Sequence, residues 1–370
     1  MKSRSGPITL RISSILALAW SLVVIAVLPV PVQAQLDPPS SGLTNPRAIV
    51  FNPGTGKVYA VDTSHGALQV YSDASKQMHR VAVGAEPVSI AVNSANVRVY
   101  VANAGDGTLT ILDGISDAVV ATVPIGSHPY SVAVNSASGK VYVTHTFGDQ
   151  LSILDGTTNT PSSLKTGSTD LIAINSRAGA IYLLGYGGAV KMLDGASQKF
   201  NERPVGKHAW ALMLNDVTGA VYVARIENAD LAVIKPDSSS FTTLSAGEIP
   251  CAIAVNSQVN LLYVANYGDN SVSVIDATTG RKTATVAVGR HPKAVAFDAN
   301  RNLVYVANTS DGTVTVINAV NNGVVATLPA GKNPYALAVV PGSSGLYVAN
   351  ETDDNPSTVV NLAEIHKLKP

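Results

Sequence analysis

The residues best suited to chemistry are histidines that recur at the same distance after a glycine. Three of the seven histidines, His128, His208 and His291, stand two residues after a glycine, and Glu86 stands in the same relation to an earlier glycine. Imidazole and carboxylate groups are ligands that zinc and other transition metals accept. The four side chains therefore form a candidate metal site if the fold gathers them on one surface. The alternative is that each histidine only closes a turn.

A second position, two residues further along, varies most in chemistry from copy to copy. It is occupied by Arg47, Val88, Tyr130, Leu171, Trp210, Cys251, Lys293 and Tyr335. Aromatic rings combined with cations suit a sugar, a cofactor ring or a phosphate-bearing ligand. Ligand-binding roles are therefore predicted for Arg47, Tyr130, Trp210, Lys293 and Tyr335. The alternative is that these side chains fill space between neighbouring structural units.

The sequence lacks the motifs of the common catalytic and cofactor sites. It contains no Gly-x-Ser-x-Gly elbow, no His-Glu-x-x-His pair and no phosphate-binding loop. Its one cysteine, Cys251, excludes a disulfide within the chain, and the missing Cys-x-x-Cys-His motif excludes covalent haem. No catalytic residue is predicted, and the sequence itself requires no cofactor.

Composition narrows the class of protein. The chain has 370 residues, of which 46% are hydrophobic and only 14% charged, which is too apolar for a disordered chain. Lysine and arginine together number 25, as do aspartate and glutamate, so the net charge gives no indication of nucleic-acid binding.

Residues 1–34 have the pattern of a secretory signal peptide. Basic residues come first, an apolar run follows at 15–28, and Val32 and Ala34 provide the small side chains of a cleavage site before Gln35. The alternative is an uncleaved anchor. Cleavage predicts a protein exported to the periplasm, the medium or the cell surface. The remaining chain has no further membrane segment, and we expect it to be a monomer.

The remainder of the chain repeats one unit of strand-length patterns. Each repeat holds a tyrosine, in four repeats within Tyr-Val-Ala-Asn and in the others within a degenerate copy. These tyrosines are spaced 40 to 42 residues apart: Tyr59, Tyr100, Tyr142, Tyr182, Tyr222, Tyr263, Tyr305 and Tyr347. Four short β patterns per repeat match the size of one propeller blade. We therefore predict an all-β fold, a single β-propeller over 35–370 with eight four-stranded blades. The alternative is seven blades plus an appended unit, and either 35–43 or 364–369 would close the last blade.

Two polar features of the repeats are predicted to shape turns. Asp-Gly pairs follow third strands at Asp113, Asp155 and Asp194. Aspartate and glycine tolerate the backbone of tight hairpins, so these pairs are assigned to turns. The asparagine that ends each Tyr-Val-Ala-Asn motif is predicted to cap the turn that follows it.

These motifs, with Gly-x-x-Pro before five of the eight first strands and a Val-Ile-Asp ending of a third strand, resemble the YVTN-repeat β-propeller family, a relative of WD40-like repeats. The resemblance spans about 43–363 and leaves three functions open. The first is an exported scaffold that binds a protein, a glycan or a small molecule. The second is a periplasmic enzyme of quinoprotein, haem-propeller or lactonase-like type, with a metal or non-covalent cofactor at the channel mouth. The third is a structural protein of the cell surface.

Overall fold

The computed structural model describes residues 48–72, 75, 77–185, 187–341, 345–350 and 358–361. These residues form 31 strands and one short 3-10 turn, Thr63–His65. The predicted signal peptide, Arg47 and both segments considered for closing the last blade lie outside them.

The first four repeats form sheets 1 to 4, each with four strands in chain order. Their strands are β1 (Ile49–Asn52), β2 (Lys57–Asp62), β3 (Ala67–Ser72) and β4 (Gln77–Ala82) in sheet 1; β5 (Pro87–Val92), β6 (Val99–Asn103), β7 (Thr108–Leu112) and β8 (Val119–Pro124) in sheet 2; β9 (Pro129–Val134), β10 (Lys140–His145), β11 (Gln150–Asp155) and β12 (Pro161–Lys165) in sheet 3; and β13 (Leu171–Asn175), β14 (Ala180–Leu184), β15 (Ala189–Asp194) and β16 (Phe200–Pro204) in sheet 4.

The last four repeats form sheets 5 to 8, of which sheets 5 to 7 have four strands and sheet 8 has three within the described residues, again in chain order. Their strands are β17 (Ala209–Leu214), β18 (Val221–Arg225), β19 (Asp230–Ile234) and β20 (Phe241–Ser245) in sheet 5; β21 (Pro250–Asn256), β22 (Leu261–Asn266), β23 (Ser271–Asp276) and β24 (Arg281–Ala287) in sheet 6; β25 (Pro292–Asp298), β26 (Leu303–Asn308), β27 (Thr313–Asn318) and β28 (Val324–Pro329) in sheet 7; and β29 (Pro334–Val339), β30 (Gly345–Asn350) and β31 (Thr358–Asn361) in sheet 8.

The sheets are arranged as the blades of a propeller. Within a sheet each strand pairs antiparallel with its neighbour, and the first strands of successive sheets contact one another. Strand β29 contacts both β25 of sheet 7 and β1 of sheet 1, so the last sheet lies between its neighbours and closes the ring. The first strands therefore surround the central channel. We call the end of the ring where they begin the channel mouth.

The fold class is confirmed as an all-β propeller, but the prediction of eight four-stranded blades is wrong. Seven sheets have four strands, which agrees with the seven blades of the alternative. The last repeat forms the three-stranded sheet 8 within the described residues. Sequence repetition counted eight units, and the two segments considered for closing the last one lie outside the described residues.

The repeated tyrosines make up the centre of the core. All eight are buried on the second strand of their sheet, with at most 4% of the residue exposed. Burial raises the pKa of Tyr222 and Tyr263 to about 12, so both phenols are neutral at physiological pH. The repeat signature that identified the fold is therefore a packing feature, which explains why it carries little information about function.

The turn prediction for the Asp-Gly pairs is confirmed. The Asp113 carboxylate accepts hydrogen bonds from the backbone N–H groups of Ile115 and Ser116, at 3.0 and 2.8 Å. Asp155 and Asp194 accept equivalent pairs. The backbone donors hold the pKa of all three carboxyls below its usual range, because they stabilise the charged form.

One tyrosine joins two sheets through a carboxylate, and this predicts a position-specific effect. Tyr59 donates to Asp117 Oδ1 on sheet 2 at 2.9 Å, and Lys57 Nζ lies 2.7 Å from Asp117 Oδ2. We expect Tyr59→Phe to lower the free energy of unfolding by about 2 kcal/mol, since it removes a buried hydrogen bond to a charged group. Urea denaturation measures this.

The matched control is Tyr263→Phe. Within the described residues the Tyr263 hydroxyl has no hydrogen-bond partner, although the residue is fully buried. Removing this hydroxyl should leave stability unchanged or slightly higher. Equal losses for Tyr59→Phe and Tyr263→Phe would show that the contact with Asp117 contributes nothing.

Candidate functional site

The predicted metal ligands occupy one backbone position at the channel mouth. Glu86, His128, His208 and His291 each precede a first strand and adopt positive φ values of 48°, 50°, 54° and 53°. The carbonyl of His128 accepts a hydrogen bond from Thr146 N–H at 3.0 Å, and the other three carbonyls accept the equivalent bond. Histidine tolerates this left-handed conformation better than most residues, so its recurrence follows from the turn.

The side chains at this position diverge, and the metal-site prediction is not supported. His208 Nδ1 lies 2.6 Å from the Glu227 carboxylate, while His291 Nδ1 lies 2.6 Å from Ser310 Oγ. Among the described residues, which include Glu86, His128, His208 and His291, no three His, Cys, Asp or Glu side chains are placed to hold one metal ion. The four ligands sit on different sheets of a ring, so equivalent positions do not bring them together.

The variable position coincides with a β-bulge. In six sheets the pairing between the first and second strands skips one residue of the first strand, directly after the residue that opens it. The skipped residues are Val88, Tyr130, Trp210, Cys251, Lys293 and Tyr335. A bulge re-aims the side chain it carries and is frequent beside functional sites. One backbone feature thus carries six side chains of five kinds around the channel mouth.

The bulged side chains differ in how far they are covered. Tyr335 and Cys251 are buried, whereas Tyr130, Trp210 and Lys293 are half-buried. Tyr130 packs against the buried cluster that contains Tyr182, and Trp210 packs against the cluster that contains Cys251. Packing therefore covers part of the Tyr130 and Trp210 side chains, as the space-filling interpretation predicts. The remainder of each half-buried side chain is exposed at the mouth.

The asparagine that ends the repeated motif links two strands, a role that the sequence analysis did not predict. Asn103 Nδ2 donates to Thr108 Oγ1 and Thr110 Oγ1, both at 2.9 Å, so it cross-links the second strand to the third. Asn266 and Asn308 make the same two bonds to hydroxyls of their own third strands. The predicted turn-capping role is thus corrected to strand cross-linking. Hydroxyl residues five and seven positions after the asparagine were the available signal.

In sheets 1, 3 and 5 the position of this asparagine holds an ionisable residue, which pairs with another side chain. Asp62 lies 2.9 Å from Arg80 Nη2 in sheet 1, and His145 Nε2 lies 2.8 Å from Ser152 Oγ in sheet 3. In sheet 5, Arg225 forms a two-pronged ion pair with Asp230. Asp62, His145 and Arg225 end the second strands of their sheets, and their contacts hold the strands together next to the mouth.

His145 predicts a pH dependence of stability. It is buried, and burial holds the pKa of its imidazole below the usual value, partly offset by the hydrogen bond to the Ser127 carbonyl. In the unfolded chain the ring binds a proton below about pH 6.5, so its contribution to stability is complete above that pH and is lost as the pH falls. We expect His145→Asn to flatten the decline in the free energy of unfolding from about pH 6.5 to 5, measured by urea denaturation.

The control for this prediction is His128→Asn. His128 is exposed and its left-handed backbone suits asparagine, so this variant should keep the wild-type decline. A His145→Asn protein with the wild-type decline would contradict the assignment.

Comparison with known proteins establishes the fold alone. No protein-family model and no curated protein matches the chain, so the YVTN-repeat family stays a resemblance. Among solved structures, Sqt1 of Saccharomyces cerevisiae matches with a TM-score of 0.74 at 11% identity, covering 87% of this chain and 97% of that one. A Kuenenia stuttgartiensis hydrazine synthase chain matches with a TM-score of 0.59 at 16% identity, covering 76% and 97%. In the described part of the chain, no helix has the length and hydropathy to span a membrane.

Proposed function

We propose that this chain is an exported binding scaffold whose ligand-binding surface is the channel mouth. The observation that carries the proposal is the ring of six bulges, where one backbone feature holds phenol, indole, thiol, ammonium and aliphatic side chains. A position used only for packing would hold similar side chains in every repeat. Diversity at a geometrically fixed position is typical of a surface that recognises a ligand.

The described part of the mouth suits recognition better than reaction. Its histidines are engaged separately, His208 by Glu227 and His291 by Ser310. Cys251 is buried, and burial raises the pKa of its thiol to about 12, which disfavours the reactive thiolate. Export is supported by the signal-like pattern of residues 1–34.

The experiment is a ligand screen on the protein exported by its own signal. The readout is the thermal unfolding temperature of the protein with each ligand. Ligands that bind only the folded state raise this temperature. We expect hits for the wild type that a Tyr130→Ala, Trp210→Ala double variant loses. The control is Val217→Ser, which changes an exposed residue in the turn at the opposite end of β17. Hits retained by the mouth variant and lost in the control would refute the location, and a chain retained in the cytoplasm would refute export.

A further inference from the structure

The outer strands of sheets 2 and 7 have almost the same sequence. Strand β8 reads Val-Val-Ala-Thr-Val-Pro and strand β28 reads Val-Val-Ala-Thr-Leu-Pro. Each is the fourth strand of its sheet, and within the described residues it pairs only with the third strand. Every second residue of such an edge strand directs its N–H and C=O groups away from the sheet. Both edges therefore offer open backbone hydrogen-bonding groups.

The other four-stranded sheets protect their outer strands with charged or hydroxyl side chains. Charged residues lie on β4, β12, β16 and β24: Arg80, Lys165, Glu202, Arg203, Arg281 and Lys282. Strand β20 has no charge, but its exposed side chains are the hydroxyl groups of Thr242, Thr243 and Ser245. Charged side chains are a common means by which proteins keep sheet edges from pairing with other chains. Strands β8 and β28 lack them, and so do β7 and β27, with which they pair.

The same two sheets expose aliphatic side chains beside their outer edges. Of the nine large hydrophobic residues exposed in the described part of the chain, five belong to sheets 2 and 7: Ile115, Val119, Val120, Val320 and Val324. Ile115 and Val320 are 71% and 78% exposed, and each stands four residues before the fourth strand of its sheet. Each edge thus combines open backbone groups with a cluster of apolar side chains, and such clusters mark interaction sites.

The chain next to these two edges brings little free charge. Asp117, two residues before β8, already lies 2.7 Å from Lys57 Nζ. The turn 319–323 before β28 holds no charged residue, and the first charged residue after β28 is Lys332. Two copies of the chain would therefore join β8 or β28 without placing like charges opposite each other. Two β24 strands would instead bring their arginines and lysines to one junction.

We infer that the outer edges of sheets 2 and 7 are assembly surfaces, where β8 or β28 of one copy pairs antiparallel with β8 or β28 of a second copy. The chain itself supplies the matching strand, since both edges have the same uncharged, valine-rich sequence. Antiparallel pairing of identical strands fits the two-fold symmetry that most homo-oligomers have.

The two edges of one copy are separate junctions. Sheets 8 and 1 lie between sheets 7 and 2 in the ring, so one copy is able to dock two others. Short chains of copies are then expected in place of the monomer expected from the sequence, because a sequence does not show which strand edges are open. The inference does not rest on the proposed function, since the outer strands are not part of the channel mouth.

Each junction should be weak and depend on concentration. One strand of six residues per copy buries less surface than a standard stable interface. The backbone hydrogen bonds of an added strand supply affinity, and the side chains on the two faces of the pair supply specificity. We therefore expect assembly that grows with concentration and reverses on dilution.

The test is analytical ultracentrifugation of the exported, cleaved protein over a range of concentrations. We expect the wild type to pass from monomers to dimers and larger species. Val119→Lys places a cation on the β8 edge and Val324→Lys places one on the β28 edge, so each variant should form nothing larger than a dimer. The double variant should stay monomeric at every concentration.

The matched control is Thr242→Lys. It adds the same charge to an exposed position of β20, an outer strand without aliphatic exposure, and should leave assembly unchanged. Circular dichroism and the unfolding midpoint verify that each variant is folded. Equal loss of assembly in the control would show that added charge alone keeps the copies apart, and would overturn the assignment to β8 and β28.

Amide hydrogen exchange identifies the strands that pair. Exchange in β8 and β28 should slow as concentration rises, because an added strand occupies their outward N–H groups, and exchange in β20 should not change. A monomeric wild type at every concentration, assembly that survives the double variant, or assembly without slower exchange in β8 and β28 would overturn the inference. So would a monomer with β8 and β28 protected at every concentration, since another segment of the same chain would then cover both edges.

Discussion

A chain that ends at Asn318 is expected to be insoluble. This truncation removes β28 and all of sheet 8, so sheets 7 and 1 both lose their neighbour. In sheet 7, Tyr305 packs in a cluster with Leu337 and Leu346 of the removed sheet. In sheet 1, Tyr71 packs against Tyr347, with ring centroids 5.4 Å apart. Each large apolar side chain exposed in this way costs about 1.5–3 kcal/mol, and several lose their contacts in both sheets, so the sum is comparable with the stability of an ordinary domain.

The measurement is the soluble fraction after expression, compared with the full chain. A chain that ends at Asn361 is the matched control, because it keeps β31 and is expected to remain soluble. Soluble, cooperatively unfolding protein from the shorter chain would contradict a closed ring in which sheet 8 bridges sheets 7 and 1.

Replacing Arg225 by alanine is expected to lower the free energy of unfolding by about 3 kcal/mol. Its guanidinium contacts Asp230 through two nitrogens, at 2.7 and 2.5 Å, and donates to the Val205 carbonyl at 2.9 Å. The side chain of Arg225 is 10% exposed and that of Asp230 17%, so removal of the cation leaves a poorly solvated carboxylate. Urea denaturation of Arg225→Ala measures the loss.

A compensating variant tests the reason for this loss. Other sheets hold asparagine and a hydroxyl residue at these two positions, as Asn308 and Thr313 do, with 3.0 Å between Asn308 Nδ2 and Thr313 Oγ1. The double variant Arg225→Asn, Asp230→Thr should therefore recover more than half of the stability that Arg225→Ala loses. A double variant no more stable than Arg225→Ala would show that the two pairs are not interchangeable.

The fold was predictable because the same buried positions recur in every repeat. Tyr100 and Tyr305 mark the same buried position in different sheets, and strand length and turn residues follow from local sequence. Among the described residues sheet 8 has three strands, and the repeat pattern did not predict that count. The sequence left open whether 35–43 or 364–369 closes the last blade, and both segments lie outside the described residues.

The sequence singled out the candidate positions at the channel mouth, but it did not predict their geometry. The position of Trp210 and Lys293 stood out because the repeats differ there, and the structure explains the difference by a bulge. The bulge itself was hidden, because it depends on which residue of the second strand pairs with the start of the first. His128, His208 and His291 looked like a metal set because sequence shows equivalence between repeats. The sequence does not show the distances across the ring of sheets, and it does not show that a left-handed turn favours histidine.

The most direct test of the central proposal is a crystal structure of the cleaved protein with the strongest ligand from the thermal screen. The account predicts ligand density at the channel mouth, in contact with at least two of Tyr130, Trp210 and Lys293. Density confined to the opposite end of the ring, at turns such as that of Val217, or to the outer strands would contradict it.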